Sequence, residues 1–442
     1  MSESQLSTST ELGVLPAFWR VQRFDSLFAV QQGKQVSKKN RVGPNQRPFL
    51  RTKNVFWGCI DLSELDEMHF TEADEKRLAL RVGDLLICEG GDIGRTAIWQ
   101  GDLAHCYYQN HLHRARLRDS TAVAQFALYW LWYAFEVGSV YFGRGNVTTI
   151  PNLSQSKLSE LPLLVPPVAE QQKIAAVLGV IQRAIAQQQR LLIQTRELKR
   201  ALLQRLLAHG LRGESQKDTE IGLLPQSWEI SELGKIVNLF GGFAFKSEEG
   251  VLASNTQLVR MGNLYQNKLD LTRNPIFYPD EFSQKYPRFV LRPGDLIMSL
   301  TGTTGKEDYG FTVELKSAPK TLLLNQRIAR IDLISNKIVN DFLFYFLLSR
   351  MFLDHLYPTA KGMKQANLST HAMKRLKVPV PSIEEQKEIA GYFRAIDRKS
   401  EIHQKRIDCL RDLFRTLLHQ LMTAQIRVHD LDFLELEAAA AE

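Results

Sequence analysis

Val165-Pro-Pro-Val-Ala-Glu-Gln-Gln-Lys-Ile-Ala-Ala-Val-Leu178 and Val380-Pro-Ser-Ile-Glu-Glu-Gln-Lys-Glu-Ile-Ala-Gly-Tyr-Phe393 are two versions of one stretch, and both read as helix starts. Pro166, Glu170, Gln171, Ile174 and Ala175 recur as Pro381, Glu385, Gln386, Ile389 and Ala390 at one constant offset. A proline ends what precedes it and suits the first turn of a following helix. Behind each start, residues repeat in steps of four and three. The second line runs Ile389, Phe393, Ile396, Ser400, His403, Ile407, Leu410, Phe414, Leu417 and Leu421. The first runs Ile174, Leu178, Ile181, Ile185, Gln188, Leu192, Thr195, Lys199, Leu202 and Leu206.

Such heptads predict coiled-coil packing of two helices, each of about 40 residues and roughly 60 Å. Past Leu192 the first line blurs, and Leu191 and Leu198 suggest a shift to a neighbouring stripe. Two domain-plus-helix units in one chain imply a pseudo-two-fold with the helices antiparallel. Gln188 and His403, near mid-helix, then face each other as a polar layer that sets register. The plainer reading leaves each at the edge of the seam, in water.

Outward from the helices, the duplication continues. Leu12-Gly-Val-Leu-Pro-Ala-Phe-Trp19 returns as Ile221-Gly-Leu-Leu-Pro-Gln-Ser-Trp228, and Arg51 and Asn54 return as Arg260 and Asn263. Leu80-Arg-Val-Gly-Asp-Leu85 matches Leu291-Arg-Pro-Gly-Asp-Leu296, and Gly91-Asp-Ile-Gly-Arg95 matches Gly302-Thr-Thr-Gly-Lys306. Asn152-Leu-Ser154 matches Asn367-Leu-Ser369. The unit is far too long for a solenoid repeat. Within it, short apolar runs (Asp84–Cys88, Ala97–Trp99, Asp295–Leu300) between glycine-rich turns read as strands. Gln125–Val137 and Asp341–Leu356 read as aromatic-rich helices, so each block is expected to be α+β. The expected organisation is a globular block at 1–165, a helix at 166–212, a second block at 213–379, a helix at 380–428 and a tail at 429–442.

The chain's 442 residues exceed a single core. A hydrophobic share of 44% and a charged share of 24% describe an ordinary water-soluble chain. The net charge of +8 suits a polyanion partner. Cys59, Cys88, Cys106 and Cys409 form neither CxxC pairs nor a disulfide framework, which favours a reducing compartment. The polar start MSESQLSTSTELG is unlike a signal peptide, and the apolar run 122–135 is too short for a bilayer. The expected location is the cytoplasm, with no membrane partner.

In their order and duplication, these motifs resemble the specificity subunit of type I restriction–modification systems. The resemblance rests on Pro166, Glu170, Gln171 and Ile174 with Pro381, Glu385, Gln386 and Ile389, and on the LP-x-x-W starts at Trp19 and Trp228. It rests also on the G-D-L strands at Gly83 and Gly294, the G-x-x-G-[RK] turns, and the Asn110-His111 and Asn325-Gln326 pairs, where the family often carries Asn-Gln. It implies two target recognition domains, each reading half of a bipartite asymmetric site in double-stranded DNA. The helices would set the gap and dock two adenine-N6 methyltransferase subunits, with motor–nuclease subunits in the full complex. This chain would have no catalysis, metal or cofactor of its own. S-adenosylmethionine, ATP and Mg2+ would belong to the partners.

Phosphates call for Lys, Arg and backbone amides, and base edges for bidentate Arg, Asn or Gln. In the first block the basic loop Lys34, Lys38, Lys39 and Arg41, followed by Gln46 and Arg47, is the leading candidate; as a charge run it also reads as a solvated face. The glycine turns offer Arg95 in one copy and Thr303, Thr304 and Lys306 in the other. Arg144 and Asn146 match Lys361, Lys364 and Gln365 before the Asn-Leu-Ser signature. Lys246 sits beside Phe243 and Phe245 in an aromatic–basic patch, expected to be half core.

Catalytic readings are weak. Asn274-Pro-Ile-Phe277 has Ile where an adenine methyltransferase motif has proline. Asp280 with Glu314 and Lys316 is too short a pattern for a nuclease site, and His105, Cys106, His111 and His113 lack paired zinc spacing. Gly302–Lys306 lacks the first glycine of a P-loop. Two other function classes stay open: a coiled-coil scaffold and a stand-alone DNA modification enzyme.

Overall fold

The computed structural model describes residues 7–10, 13–141, 152–360 and 365–428. The chain divides into two compact units, Met1–Arg190 with Gln404–Glu442, and Leu191–His403. Each unit holds one globular block and half of each long helix, Val168–His209 and Ile383–Met422.

In the first unit a four-stranded antiparallel sheet runs in the spatial order Thr96–Ile98, Leu85–Cys88, Leu112–Leu117, Phe28–Gln32. A smaller sheet sets Tyr107–Tyr108 parallel to Gln46–Leu50, which is antiparallel to Asp66–His69. Leu85–Cys88 reads as a continuous apolar run because alternate side chains enter two different cores. Leu85 and Ile87 join Phe28 and Phe126, while Leu86 and Cys88 join Phe49 and Tyr108.

The second unit repeats this order with Thr312–Glu314, Leu296–Ser299, Ile328–Leu333 and Val237–Gly241. Its second sheet again contains a parallel pair, Thr256–Val259 beside Thr321–Leu324. Each block closes with a two-stranded ribbon, Arg20–Arg23 against Pro162–Val165 and Glu229–Glu232 against Lys377–Val380. The expected helix at 125–137 is an α-helix, Ala124–Trp132, that widens into a π turn at Tyr133–Val137. The one expected at 341–356 is two helices, Asn340–Leu347 and Arg350–Leu356. Ser349 interrupts it and caps the second, its Oγ accepting from Phe352 N.

The long helices run antiparallel within each unit. Ile174, Leu178 and Ile181 from the start of one share a core with Phe414, Leu418 and Leu421 from the end of the other. Leu203, Leu206 and Leu207 meet Ile389 and Phe393 in the second unit in the same way. Ile407 is buried too, and Ile396 and Leu410 are partly buried against these cores. Gln188 and His403 are each 5% exposed, so neither lies in water as the plainer reading had it.

The expected shift past Leu192 does not occur. Leu198 is 52% exposed, whereas Thr195 is buried and the line continues to Leu206. The seam accepts polar residues there because their polar atoms are paired. Thr195 Oγ1 donates to Leu191 O at 2.7 Å, and Lys199 Nζ meets Asp397 Oδ1 at 2.6 Å while lying over the Tyr345 ring.

The repeated Glu-Gln is a clamp between block and helix. Trp19 Nε1 donates to Glu170 Oε2 at 2.9 Å, and Trp228 Nε1 to Glu385 Oε2 at 3.1 Å. The other carboxylate oxygen takes the segment just past the opposite helix: Arg427 Nε reaches Glu170 Oε1 at 3.0 Å, and Leu211 N reaches Glu385 Oε1 at 2.9 Å. Gln171 Oε1 accepts from Val123 N while its Nε2 donates to Pro166 O, both at 2.8 Å. Gln386 does the same with Val339 N and Pro381 O.

Arg-x-x-Asn is a second repeated staple: Asn54 Oδ1 accepts from Arg51 N, and Asn263 Oδ1 from Arg260 N. Gly83 and Gly294 both stand at φ 91°, where glycine alone is unstrained, and the following Asp84 and Asp295 close the turn on Arg81 N and Arg292 N. No helix among the described residues is long and apolar enough to cross a membrane.

Candidate nucleic-acid interface

One exposed turn is built identically in both units. Gly33 N donates to Leu112 O and Gly242 N to Ile328 O, each at 3.1 Å. A Cβ on Gly33 would lie 2.2 Å from Gln109 O, and on Gly242 2.2 Å from Asn325 O, so neither position admits a side chain. Beyond that close approach, Asn110 N donates to Lys34 O and Gln326 N to Phe243 O. Glu89 N reaches His111 O as Leu300 N reaches Arg327 O. Gln109, Asn110 and His111 therefore correspond to Asn325, Gln326 and Arg327. This corrects by one residue the sequence pairing of Asn110-His111 with Asn325-Gln326. The slip arose because the first copy carries Gln-Asn where the second carries Asn-Gln.

The basic loop of the first unit separates into inward and outward members. Lys34 points in: Nζ donates to His69 O at 2.7 Å and to Asp74 Oδ2 at 2.8 Å, and its side chain is only 11% exposed. Burial disfavours the Asp74 charge, but hydrogen bonds from Lys34 and Thr71, with the lysine's charge, hold that carboxyl well below its ordinary value. Lys34 thus fastens the loop. Gln46 Nε2 donates to Gly43 O, and Arg47 Nε to Glu75 Oε1 at 2.8 Å, so both are engaged internally. Lys38, Lys39 and Arg41 face solvent and form no ion pair among the described residues. The counterpart loop in the second unit is acidic, with Glu248 and Glu249 after an exposed Lys246. Phe243 and Phe245 both pack on Tyr286 and Phe289, but only Phe245 is half-buried against a core, while Phe243 stays 36% exposed.

The glycine turns also differ. Arg95 meets Asp92 at 2.5 Å, donates to Thr52 O and covers the Phe56 ring, and its side chain is 15% exposed. Thr303, Thr304 and Lys306 are exposed, and Thr303 N donates to Asp308 Oδ1. Arg144, Asn146, Lys361 and Lys364 lie outside the described residues. The backbone of Gln365 pairs with Thr303 at the end of a short ribbon.

Sequence reasoning missed a cleft of about 420 Å³ in the second unit. Arg260, Arg273, Asn274, Asn325, Gln326 and Arg327 line it with apolar walls from Phe245, Leu258 and Ile276, and no carboxylate is among its lining residues. Arg260 reaches Asn274 O, a neutral acceptor, where its counterpart Arg51 meets Asp66 at 2.7 Å. The arginine charge is therefore compensated in the first unit and not in the second. Asn274 stands at φ 47°, the left-handed region, which suits a turn. The sequence had singled out some of its walls separately, the repeated Arg-x-x-Asn, Asn325-Gln326 and Asn274, but gave no sign that these segments meet.

Among the described residues, no group of three or more His, Cys, Asp or Glu could hold a metal ion. His113 is fully buried, with Nε2 2.8 Å from Leu153 O, and burial lowers its pKa. Burial raises the thiol of Cys106 to about 12.

A specificity subunit of the type I restriction enzyme MjaVIII from Methanocaldococcus jannaschii is 29% identical over 429 residues, covering 95% of both chains. The specificity subunit of the Escherichia coli enzyme EcoBI is 24% identical over 66% of this chain and 65% of its own. The crystal structure of the S subunit of a type I restriction–modification system from M. genitalium aligns with a TM-score of 0.55 at 17% identity, over 94% of this chain and 99% of that one. The family model described as the type I restriction modification DNA specificity domain matches twice, at residues 16–195 and 225–411, so the chain belongs to that family.

Proposed function

We propose that this chain is the DNA-reading, non-catalytic subunit of a type I restriction–modification complex, with each globular block reading one half of a bipartite, asymmetric site. The long helices set the gap between half-sites and dock two adenine-N6 methyltransferase subunits; motor–nuclease subunits join the full assembly in the cytoplasm. S-adenosylmethionine, ATP and Mg2+ act on those partners.

The observation that carries this reading is the pairing of one scaffold with two different surfaces. The same sheet order, glycine approach and Trp–Glu clamp recur, while the exposed residues around the shared turn differ in type and charge. A shared scaffold supplies position, and unlike side chains supply unlike specificity. A scaffold protein without DNA gives no reason for the same turn to carry unlike side chains in the two copies.

The test is a map of N6-methyladenine in cells expressing this chain with its methyltransferase subunit, and each alone. A gapped, asymmetric motif present only with both supports the proposal. The same motif from this chain alone overturns the non-catalytic reading. An ungapped motif overturns the bipartite one.

A further inference from the structure

We infer that Arg327 reads a base edge of the second half-site and that His111, at the equivalent position, reads one of the first; this rests on the proposed division of the target. The two residues occupy one place in the fold. The carbonyl of each accepts from the first residue past the same strand, Glu89 N or Leu300 N, and each follows the turn that Gly33 or Gly242 approaches too closely for a side chain. Backbone geometry is thus common to both units, and the projecting side chain is what differs.

The surroundings differ to match. His111 is 61% exposed, with Nδ1 3.8 Å from Glu89 Oε2, a carboxylate that can orient the ring. In the second unit Leu300 replaces that carboxylate, and Arg327 forms no ion pair among the described residues. Arg327 lines the carboxylate-free cleft together with Gln326 and Arg260. Exposed at the rim of such a cleft and facing no carboxylate, this guanidinium is free to exchange water for a pair of ligand hydrogen-bond acceptors. In duplex DNA these are guanine O6 and N7 in the major groove, or phosphate oxygens. The side chain stands on a hydrogen-bonded turn between strands of two different sheets, and this fixed backbone favours the base edge, where orientation matters, over phosphate.

Methylation mapping with the wild-type chain, Arg327→Ala and His111→Ala, each with the same methyltransferase subunit, tests this. Arg327→Ala is expected to relax discrimination about tenfold or more at one base pair of one half-site. His111→Ala is expected to relax one base pair of the other, and both variants keep the gap and the wild-type melting temperature. A gapped wild-type motif that neither variant changes overturns the inference alone. So does uniform loss of methylation with an intact motif and a shallower salt dependence, which marks a phosphate contact. Relaxation of the same half-site by both variants overturns it too. A wild-type chain that directs no gapped motif overturns the proposed function beneath it.

Discussion

Trp228 and Glu385 lie far apart in sequence, yet the indole Nε1 donates to the carboxylate at 3.1 Å, with Trp228 fully buried and Glu385 2% exposed. That carboxylate also takes Leu211 N, so it joins the opening of a globular block to the ends of two helices. Glu385→Ala leaves one buried and one half-buried donor without their acceptor and is expected to cost about 2–4 kcal/mol. Trp228→Phe should cost less, and the two together less than their sum. Urea unfolding of the four members of the cycle checks this; strict additivity would mean that the bond carries no coupling.

Gly242→Ala is expected to destabilise by about 1–3 kcal/mol, because the new methyl would lie 2.2 Å from a main-chain oxygen. The neighbouring Gly241 provides the control: a Cβ there meets nothing within 4 Å. Equal melting temperatures for the two variants would show that the close approach is unimportant.

The division of the basic loop predicts opposite behaviour for adjacent lysines. Lys34→Met should destabilise the first unit, since Asp74 loses the lysine that offsets its burial. A carboxyl held low in the folded state contributes stability above its unfolded pKa of about 3.9, and that contribution disappears as pH falls through and below this value. The gap between wild type and Lys34→Met should therefore be widest near neutrality and shrink toward pH ~3. A gap independent of pH would count against the ion pair. Lys38→Ala and Lys39→Ala should leave stability unchanged and each reduce the salt slope of DNA binding by about 1.

Cys59 and Cys409 are exposed, while burial raises Cys88 to about 11 and Cys106 to about 12. A thiol reagent at pH 8 should modify two of the four cysteines in the folded chain, and all four in denaturant. Fast reaction of a third in native buffer would contradict the burial.

If the helices set the gap, one extra heptad in both adds about 10 Å of helix, close to the rise of 3 base pairs. The methylated motif should gain about that much spacing with both half-sites unchanged. An unaltered gap in a folded, active variant would remove the spacer role.

The helix starts were legible because proline, Glu-Gln and a heptad line coincide at Pro166 and Pro381, and the duplication was legible because its motifs keep their order. The second half of the first seam was less so. A line containing Thr195 and Lys199 looks broken until Leu191 O and Asp397 are seen to satisfy them. Lys34 read as a surface charge because nothing in the local sequence announces that Asp74 returns to it. The cleft was hidden for a similar reason: Arg260, Asn274 and Arg327 come from segments that only the fold brings together.

Apart from the Trp–Glu bonds, the clamps at Gln171 and Gln386 have main-chain partners: the amides of Val123 and Val339 and the carbonyls of Pro166 and Pro381. Amides and carbonyls persist whatever side chain a residue carries. A block can therefore diversify its surface by mutation, or be exchanged whole by recombination near Pro166 or Pro381, and still seat on the same glutamine. If each block reads DNA as proposed, a new preference then needs no new joint.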